Sequence, residues 1–291
     1  MINKLSLGSV QFGLKYGIAS RRESAVPKNE VLEIPTYARE KGLENIDTAY
    51  VYGEAESIIG EFLAANGPCF KIVSKLPAFE VYRPGMARNH CFQSLKRLRQ
   101  DTIYGYLVRG ADDIVKREGL WQEMRYLKEE GFLNKIGVSI YKTDDLEVLI
   151  HQNIIPDILQ VPYSILDQRF EKYFRLMKDR GAEIHARSIF LQGLFFAEDR
   201  YFDGPFAEVK ERMYEIRRIA RQTGISVSGL CLKFALREPG LDKVIIGVDS
   251  LEQLKENIDA FSGAALSESQ YETLKGLKCD NENIILPTHW R

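Results

Sequence analysis

The stretch NIDTAYVYGEAESIIGEFLAANGPCFKIVSKL, residues 45–76, decides how the rest of the chain is read. NIDTA (45–49) and KIVSKL (71–76) are short β-like runs. Between them, EAESIIGEFLAANG (54–67) has helical spacing and stops on Gly67, a residue suited to ending a helix. The same alternation continues in both directions. Upstream lie LSLGSV (5–10) and NEVLEIPTYAREKG (29–42), a helical run that Pro35 should kink or confine to one side. Downstream come a helix within 86–100, the strand IYGYLVR (103–109), a helical region at 113–131 closed by Gly131, and the strand KIGVSI (135–140). A helix from about 143 to 152 leads to ILQVPY (158–163), and a helix at 168–180 leads to EIHARSIF (183–190). A long helical tract at 206–236 precedes KVIIGV (243–248) and SLEQLKENIDAF (250–261).

Alternating β and α segments imply parallel strands with right-handed crossovers. Eight such units in 291 residues favour a closed (β/α)8 barrel over an open doubly wound sheet. An open sheet usually carries G-x-G-x-x-G after its first strand, and QFGLKYG lacks that spacing. No Pro/Gly/Ser-rich linker divides the chain, so residues 1–291 read as a single domain. The closing segment 262–291, with a short helix at 268–277 and a tail reaching Trp290, is expected outside the barrel or over its mouth.

Forty Lys and Arg against forty-one Asp and Glu argue against a general nucleic-acid or acidic-membrane binder, which usually carries a basic field. Cys69, Cys91, Cys231 and Cys279 form no C-x-x-C pair, so neither a zinc site nor a disulfide framework is expected. No apolar run is long enough for a membrane span, and the amino terminus lacks a secretory pattern. The expectation is a soluble cytoplasmic protein with free thiols, no metal, and a monomer as default.

In such a barrel, chemistry sits where strands end and the following loops begin. Those positions carry Asp47 with Tyr50 and Tyr52, Lys75, Arg109, Ser139, Gln160 with Tyr163, Arg187 with Ser188, and Gly247 to Asp249. Asp47, Tyr52 and Lys75 form a credible acid/base unit. A free tyrosine has a pKa of about 10, and a neighbouring ammonium lowers it while a carboxylate orients the ammonium. The competing reading is a structural ion pair beside a core tyrosine.

These residues carry a family resemblance. NIDTAYVYGEAESIIGEFL resembles the second-strand signature of the aldo-keto reductases, in which the Asp and Tyr of D-T-A-x-x-Y-G are catalytic; the match falls on Asp47 and Tyr52. IVSKL is similar to the third-strand segment and places the family's catalytic lysine at Lys75. GFLNKIGVSIY, ILQVPYS, HARSIFLQG and VIIGVDSLEQLKENIDAF extend the resemblance over nearly the whole chain. LGSVQFGLKYGIAS and HARSIFLQGL look most like bacterial members associated with sugar and surface-polysaccharide metabolism.

The resemblance implies a barrel reductase that binds extended NADPH without a Rossmann motif and passes hydride to a carbonyl while tyrosine supplies a proton. It assigns Ser139 and Gln160 to the nicotinamide carboxamide, Ser188 to the pyrophosphate, and Glu256 and Asn257 to the adenine. Capping of strand ends and an ordinary exposed helix face are the plain alternatives.

Several positions depart from the family pattern. Arg109 stands where Y-L-x-H has histidine, and His90, His151, His185 and His289 lie elsewhere. An arginine can polarise a carbonyl or anchor an anion, but it cannot reproduce a neutral imidazole. Its fixed charge is expected to lower the Tyr52 pKa, giving a poorer acid and a better base; alternatively, Arg109 pairs with Asp47 and loosens Lys75. Arg187 takes the position of an aromatic ring that stacks on nicotinamide. Together the two arginines favour an anionic ligand, unless each neutralises a local carboxylate. Ile140 replaces an Asn that follows the carboxamide-binding serine. Gly247 and Gln253 fall where the family places cations around the 2′-phosphate. Asp249 there accepts from a 2′-hydroxyl and repels a phosphate, with Lys255 nearby in sequence to compensate. NADP(H) is therefore the implied cofactor, with NAD(H) open.

The leading reading is an NAD(P)H-dependent oxidoreductase acting on a small carbonyl or sugar-like substrate. Asp47 orients, Lys75 tunes, Tyr52 transfers the proton, and Arg109 polarises or anchors. The alternatives are an oxidation–reduction epimerase, a nicotinamide-binding sensor or interaction protein with little catalysis, and a non-redox barrel isomerase. Tyr16, Phe79, Tyr82, Phe195 and Phe196 are candidates to line the mouth.

Overall fold

Eight strands pair in chain order, all parallel, and the last closes on the first. They are β1 (Leu5–Gly8), β2 (Asn45–Asp47), β3 (Lys71–Lys75), β4 (Ile103–Arg109), β5 (Leu133–Ser139), β6 (Ile158–Pro162), β7 (Glu183–Arg187) and β8 (Lys243–Gly247). In this computed structural model the described residues are 2–18 and 24–290; Ala19 and Ser20, at the end of the opening segment's resemblance, lie outside them. The barrel matches the eight-unit reading, and each strand is followed by at least one helix before the next strand.

Side chains alternate across a strand, so each strand has one face toward the helices and one toward the barrel axis. Leu7, Ile46, Ile72, Val138, Ile184 and Ile246 belong to the large outer core, and all are buried. The inner core is small: Val73, Leu107 and Ile158, with Tyr104 packed against them. Two glycines make that interior possible. A Cβ on Gly105 would sit 2.5 Å from Ile158 Cδ1, and one on Gly137 would sit 2.2 Å from the Ile158 carbonyl oxygen. Ile158 thus fills the barrel centre only because two neighbouring strands carry no side chain there.

The amino-terminal end of the barrel is closed by a polar cluster. Tyr104 Oη donates to both Glu183 carboxylate oxygens at 2.8 and 3.1 Å, and Lys135 Nζ donates to the same carboxylate. His185, 1% exposed, has Nε2 3.4 Å from Glu183, which makes it a satisfied wall residue.

Helix boundaries differ from the sequence pattern where local chemistry interrupts a run. The 29–42 segment splits at Leu32 into Lys28–Val31 and Glu33–Glu40, leaving Pro35 in the first turn of the second helix, where its missing N–H is tolerated. Region 113–131 becomes Ala111–Lys116 and Leu120–Glu129, separated at Gly119 with φ +85°. The 206–236 tract divides into a 3-10 turn, Lys210–Thr223 and Val227–Arg237, with Ser226 Oγ capping the last helix on Gly229 N at 3.1 Å. The tail packs against the loop after β6: Cys279 N donates to Leu166 O at 2.8 Å, and Trp290 meets Phe206 edge-on at 4.9 Å. It borders the mouth without lining the cleft.

Burial raises the Glu183 carboxyl, but hydrogen bonds from His185, Lys135 and Tyr104 outweigh it and hold the group at about 2. A carboxylate depressed in the folded state contributes stability above its unfolded pKa and loses it as pH falls through the folded value. The Glu183→Gln variant should therefore be less stable than the native chain at pH 6, with the gap narrowing between pH 4.5 and 2. Thermal unfolding across that range measures it, and a gap independent of pH contradicts the assignment.

Candidate active site

The inward-facing residues at the carboxyl ends of the strands converge on one cleft of about 1570 Å3. At its base, Lys75 Nζ donates to Asp47 Oδ1 at 2.6 Å and to Thr48 O at 2.7 Å. Asp47 is 6% exposed and Lys75 3%. The second Asp47 oxygen accepts from Gln160 Nε2 at 2.6 Å, and Gln160 Oε1 accepts from Ser139 Oγ at 3.0 Å. One hydrogen-bonded line thus runs from Lys75 through Asp47 and Gln160 to Ser139, across four strands. The lysine ammonium lies 5.6 Å from the Tyr52 ring centroid.

Tyr52 reaches the cleft because its loop is held by close backbone contact. A Cβ on Gly13 would fall 1.8 Å from the Tyr52 carbonyl oxygen, and one on Gly53, which sits at φ +54°, would fall 2.6 Å from the Gly13 carbonyl oxygen. Only glycine fits at both places: one needs the space and the other the left-handed backbone.

The protonation states differ from what the sequence suggested. Burial pushes the Tyr52 hydroxyl well above the usual phenol range; Asp47 and Tyr16 add to this, and Arg109 opposes it without prevailing. The expected base-like tyrosine is thus corrected to a firmly protonated one. Burial lowers the Lys75 ammonium, Asp47 supports it, and Arg109 and Arg187 lower it further. The suggested capture of Asp47 by Arg109 does not occur: the Asp47–Lys75 pair is intact. Among the described residues, Arg109 has no hydrogen-bond or ion-pair partner, and its half-buried side chain lines the cleft.

Arg187 is placed quite differently. Its guanidinium stacks on the Tyr141 ring at 3.7 Å, donates to Ile140 O at 2.8 Å and reaches Ser139 Oγ and Ser188 Oγ at 3.4 and 3.3 Å. Neither arginine neutralises a carboxylate in an ion pair among the described residues. Ile140, the departure after Ser139, contributes its carbonyl to fix Arg187.

All thirteen sequence-proposed site residues line this one cleft, including Gly247, Asp249, Gln253, Glu256 and Asn257 on its far arm. Gln253 also serves a local purpose, accepting from Asp249 N at 2.8 Å at the start of helix Leu251–Ser262. Lys255 does not join them: its ammonium lies over Tyr37 at 5.7 Å, and it does not line the cleft. Of the proposed mouth residues, Tyr16 and Phe196 line the cleft, whereas Phe79, Tyr82 and Phe195 are packed elsewhere. Sequence reasoning missed Gly13, Tyr141 and Gln192. Gln192, at φ +51°, hydrogen-bonds Tyr16 and accepts from Ile18 N at 2.9 Å, tying the β1 loop to the β7 loop. No local pattern marks these three, because each acts on a residue distant in sequence.

A dinucleotide suits this lining. Asn257 is 5% exposed, lines the cleft and has no side-chain partner among the described residues, and Gln11 Oε1 is buried without a partner. The amino terminus of helix Leu251–Ser262 opens on the same arm, and its dipole favours an anion there, although Ser250 Oγ already takes the Gln253 N–H.

Comparison with known proteins agrees with this arrangement. A profile of the aldo/keto reductase family matches residues 4–278, so the chain belongs to that family of oxidoreductases, whose enzymes generally use NAD(P)H. The chain is 25% identical over 287 residues to the uncharacterized oxidoreductase YqkF of Bacillus subtilis, covering 90% of this chain and 91% of that protein. In fold it is similar to the glycerol dehydrogenase of Gluconobacter oxydans, with a TM-score of 0.76 at 20% identity and 98% and 92% coverage. It is also similar to an aldo/keto reductase from Klebsiella pneumoniae in complex with NADP and acetate, with a TM-score of 0.75 at 24% identity and 97% and 94% coverage.

Gly13→Ala should displace Tyr52 while leaving the barrel folded. A misplacement of about 1 Å costs roughly 100-fold in rate. Turnover should fall by that order with cofactor affinity little changed; a native rate in the variant would show that the Gly13 contact does not position Tyr52.

Proposed function

We propose that this cleft reduces the carbonyl of a small anionic or sugar-like molecule with NAD(P)H, and that Tyr52 supplies the proton. The observation carrying this reading is the buried Lys75–Asp47 pair beside Tyr52 at the barrel mouth. In this scheme the bound nicotinamide supplies the hydride to the carbonyl carbon. Tyr52 gives its hydroxyl proton to the carbonyl oxygen, so the carbonyl becomes an alcohol and the tyrosine a tyrosinate. Arg109 and Lys75 stabilise that tyrosinate until a solvent proton restores it. Asp47 keeps Lys75 charged and, with Gln160, fixes its direction. Ser139 and Gln160 offer the donor and acceptor that a carboxamide needs.

Arg109 supports the anionic substrate class, because an unpartnered guanidinium can hold a carboxylate or phosphate bidentately. Hydrogen-bonding groups of Tyr16, Tyr141 and Asp145 around the same space suit the hydroxyls of a sugar. The resemblance of the opening and seventh-strand segments supports a place in sugar or surface-polysaccharide metabolism. The balanced charge and four free thiols suit a cytoplasmic protein of one barrel domain.

On the cofactor's far arm, Glu252 and Glu256 disfavour a 2′-phosphate, and the position of Lys255 does not offset them. The Klebsiella neighbour is in complex with NADP, which supports NADP(H) here, and NAD(H) remains compatible with this lining. Two alternatives lose ground. The epimerase drew on a base-like Tyr52, and burial reverses that bias. The sensor with little catalysis leaves the Asp47–Lys75–Tyr52 assembly without a task.

Removing a positioned proton donor typically costs 10²–10⁴ in rate. Tyr52→Phe should therefore lower kcat by about that factor while NADPH affinity, read by fluorescence titration, changes little. Failure of the native chain to bind either nucleotide overturns the proposal. Arg109→Gln should raise KM for an aldehyde bearing a carboxylate or phosphate by roughly tenfold or more, as expected for a lost charged hydrogen bond, and leave a neutral aldehyde unaffected. An equal effect on both aldehydes would remove the anion-anchoring role.

A further inference from the structure

We propose that the deep end of the cleft reads the charge of the nicotinamide ring, holding the reduced cofactor more tightly than the oxidised one. This rests on the reductase reading. A dihydronicotinamide ring is neutral and an oxidised one carries a positive charge, so fixed cations nearby distinguish them.

The chemistry itself places the ring. Hydride transfer brings it within about 3–3.5 Å of the carbonyl carbon. The carbonyl oxygen in turn lies within about 3 Å of the Tyr52 hydroxyl. The ring therefore occupies the space beside Tyr52. Three cations, Lys75, Arg109 and Arg187, line that end of the cleft from strand ends; Asp47 pairs with Lys75, which leaves two arginines against the Asp145 carboxylate in the same lining. Asp167, which also feels Arg187, is already held by Arg169 at 2.9 Å. Asp145, on the helix Thr143–His151, has its carboxyl raised by burial.

Both arginines make their charge felt at this end: each lowers the Lys75 ammonium and each lowers the Tyr16 hydroxyl. Arg187 cannot swing away from an unwelcome cation, because the Tyr141 ring lies under it and Ile140 O holds its tip. Arg109 has no protein partner to absorb its charge among the described residues. The dipole line from Ser139 through Gln160 to Asp47 ends on Lys75, so its alignment is fixed by that ion pair.

Calorimetric titration of the native chain with NADPH, NADP+, NADH and NAD+ tests the proposal. The reduced member of each pair should bind at least tenfold more tightly. Arg187→Met and Arg109→Gln should each cut that ratio by threefold or more, mainly by tightening the oxidised form. Arg109 leaves no stranded partner when replaced, so this variant keeps the test standing where Arg187→Met fails to fold. Equal affinity for the reduced and oxidised forms in the native chain overturns the inference alone. Absence of binding by all four nucleotides overturns the reductase reading beneath it. A ratio that both variants leave unchanged also overturns the inference, because the preference then has another source.

Discussion

The ion pair between Lys75 and Asp47 governs this molecule. Two charges almost wholly removed from water cost several kcal/mol each unless every polar atom is engaged. The barrel meets that demand with Thr48 O on the ammonium and Gln160 Nε2 on the second carboxylate oxygen. Those partners come from β2, β3 and β6, so strands that are not neighbours in the sheet are tied through the barrel axis. The pair forms only where the strand register is right, and beneath it Gly105 and Gly137 leave room for Ile158. Packing of the interior and placement of the site are one problem.

The fold was legible because a (β/α)8 barrel repeats one local pattern eight times, and each apolar run in the sequence falls on a strand. The strand-end polar residues were legible for the same reason: alternation sends Asp47, Lys75, Arg109, Ser139 and Gln160 to the axis together. Helix interruptions were partly legible. Pro35 announced its break, while Gly119 and Gly224 read as interior residues until their left-handed backbones are seen. What the sequence could not reveal were relations between distant segments. Gly13 matters only because Tyr52 passes above it, and Tyr141 only because Arg187 lies on it.

Electrostatics was the least legible layer. Counting cations near Tyr52 suggests a tyrosine ready to lose its proton, yet burial and the Asp47 charge dominate. Lys255 illustrates the same limit. It lies two residues from Gln253 in sequence, but helical geometry turns it toward Tyr37 and away from the cleft. Arg187 differs from Arg109 only in its neighbours: one is clamped between backbone and ring, the other has no hydrogen-bond or ion-pair partner among the described residues.

The closed floor of the barrel has a further consequence. Val73, Leu107 and Ile158 are almost completely buried under the site, and the Tyr104–Lys135–Glu183 cluster seals the end below them. In the proposed reaction, the proton that Tyr52 gives up would return through the mouth, the same opening by which ligands come and go. A molecule seated there stoppers the proton supply. On the proposed reaction, each cycle would draw on the one proton held on the phenol, and recharging would wait on departure of the product.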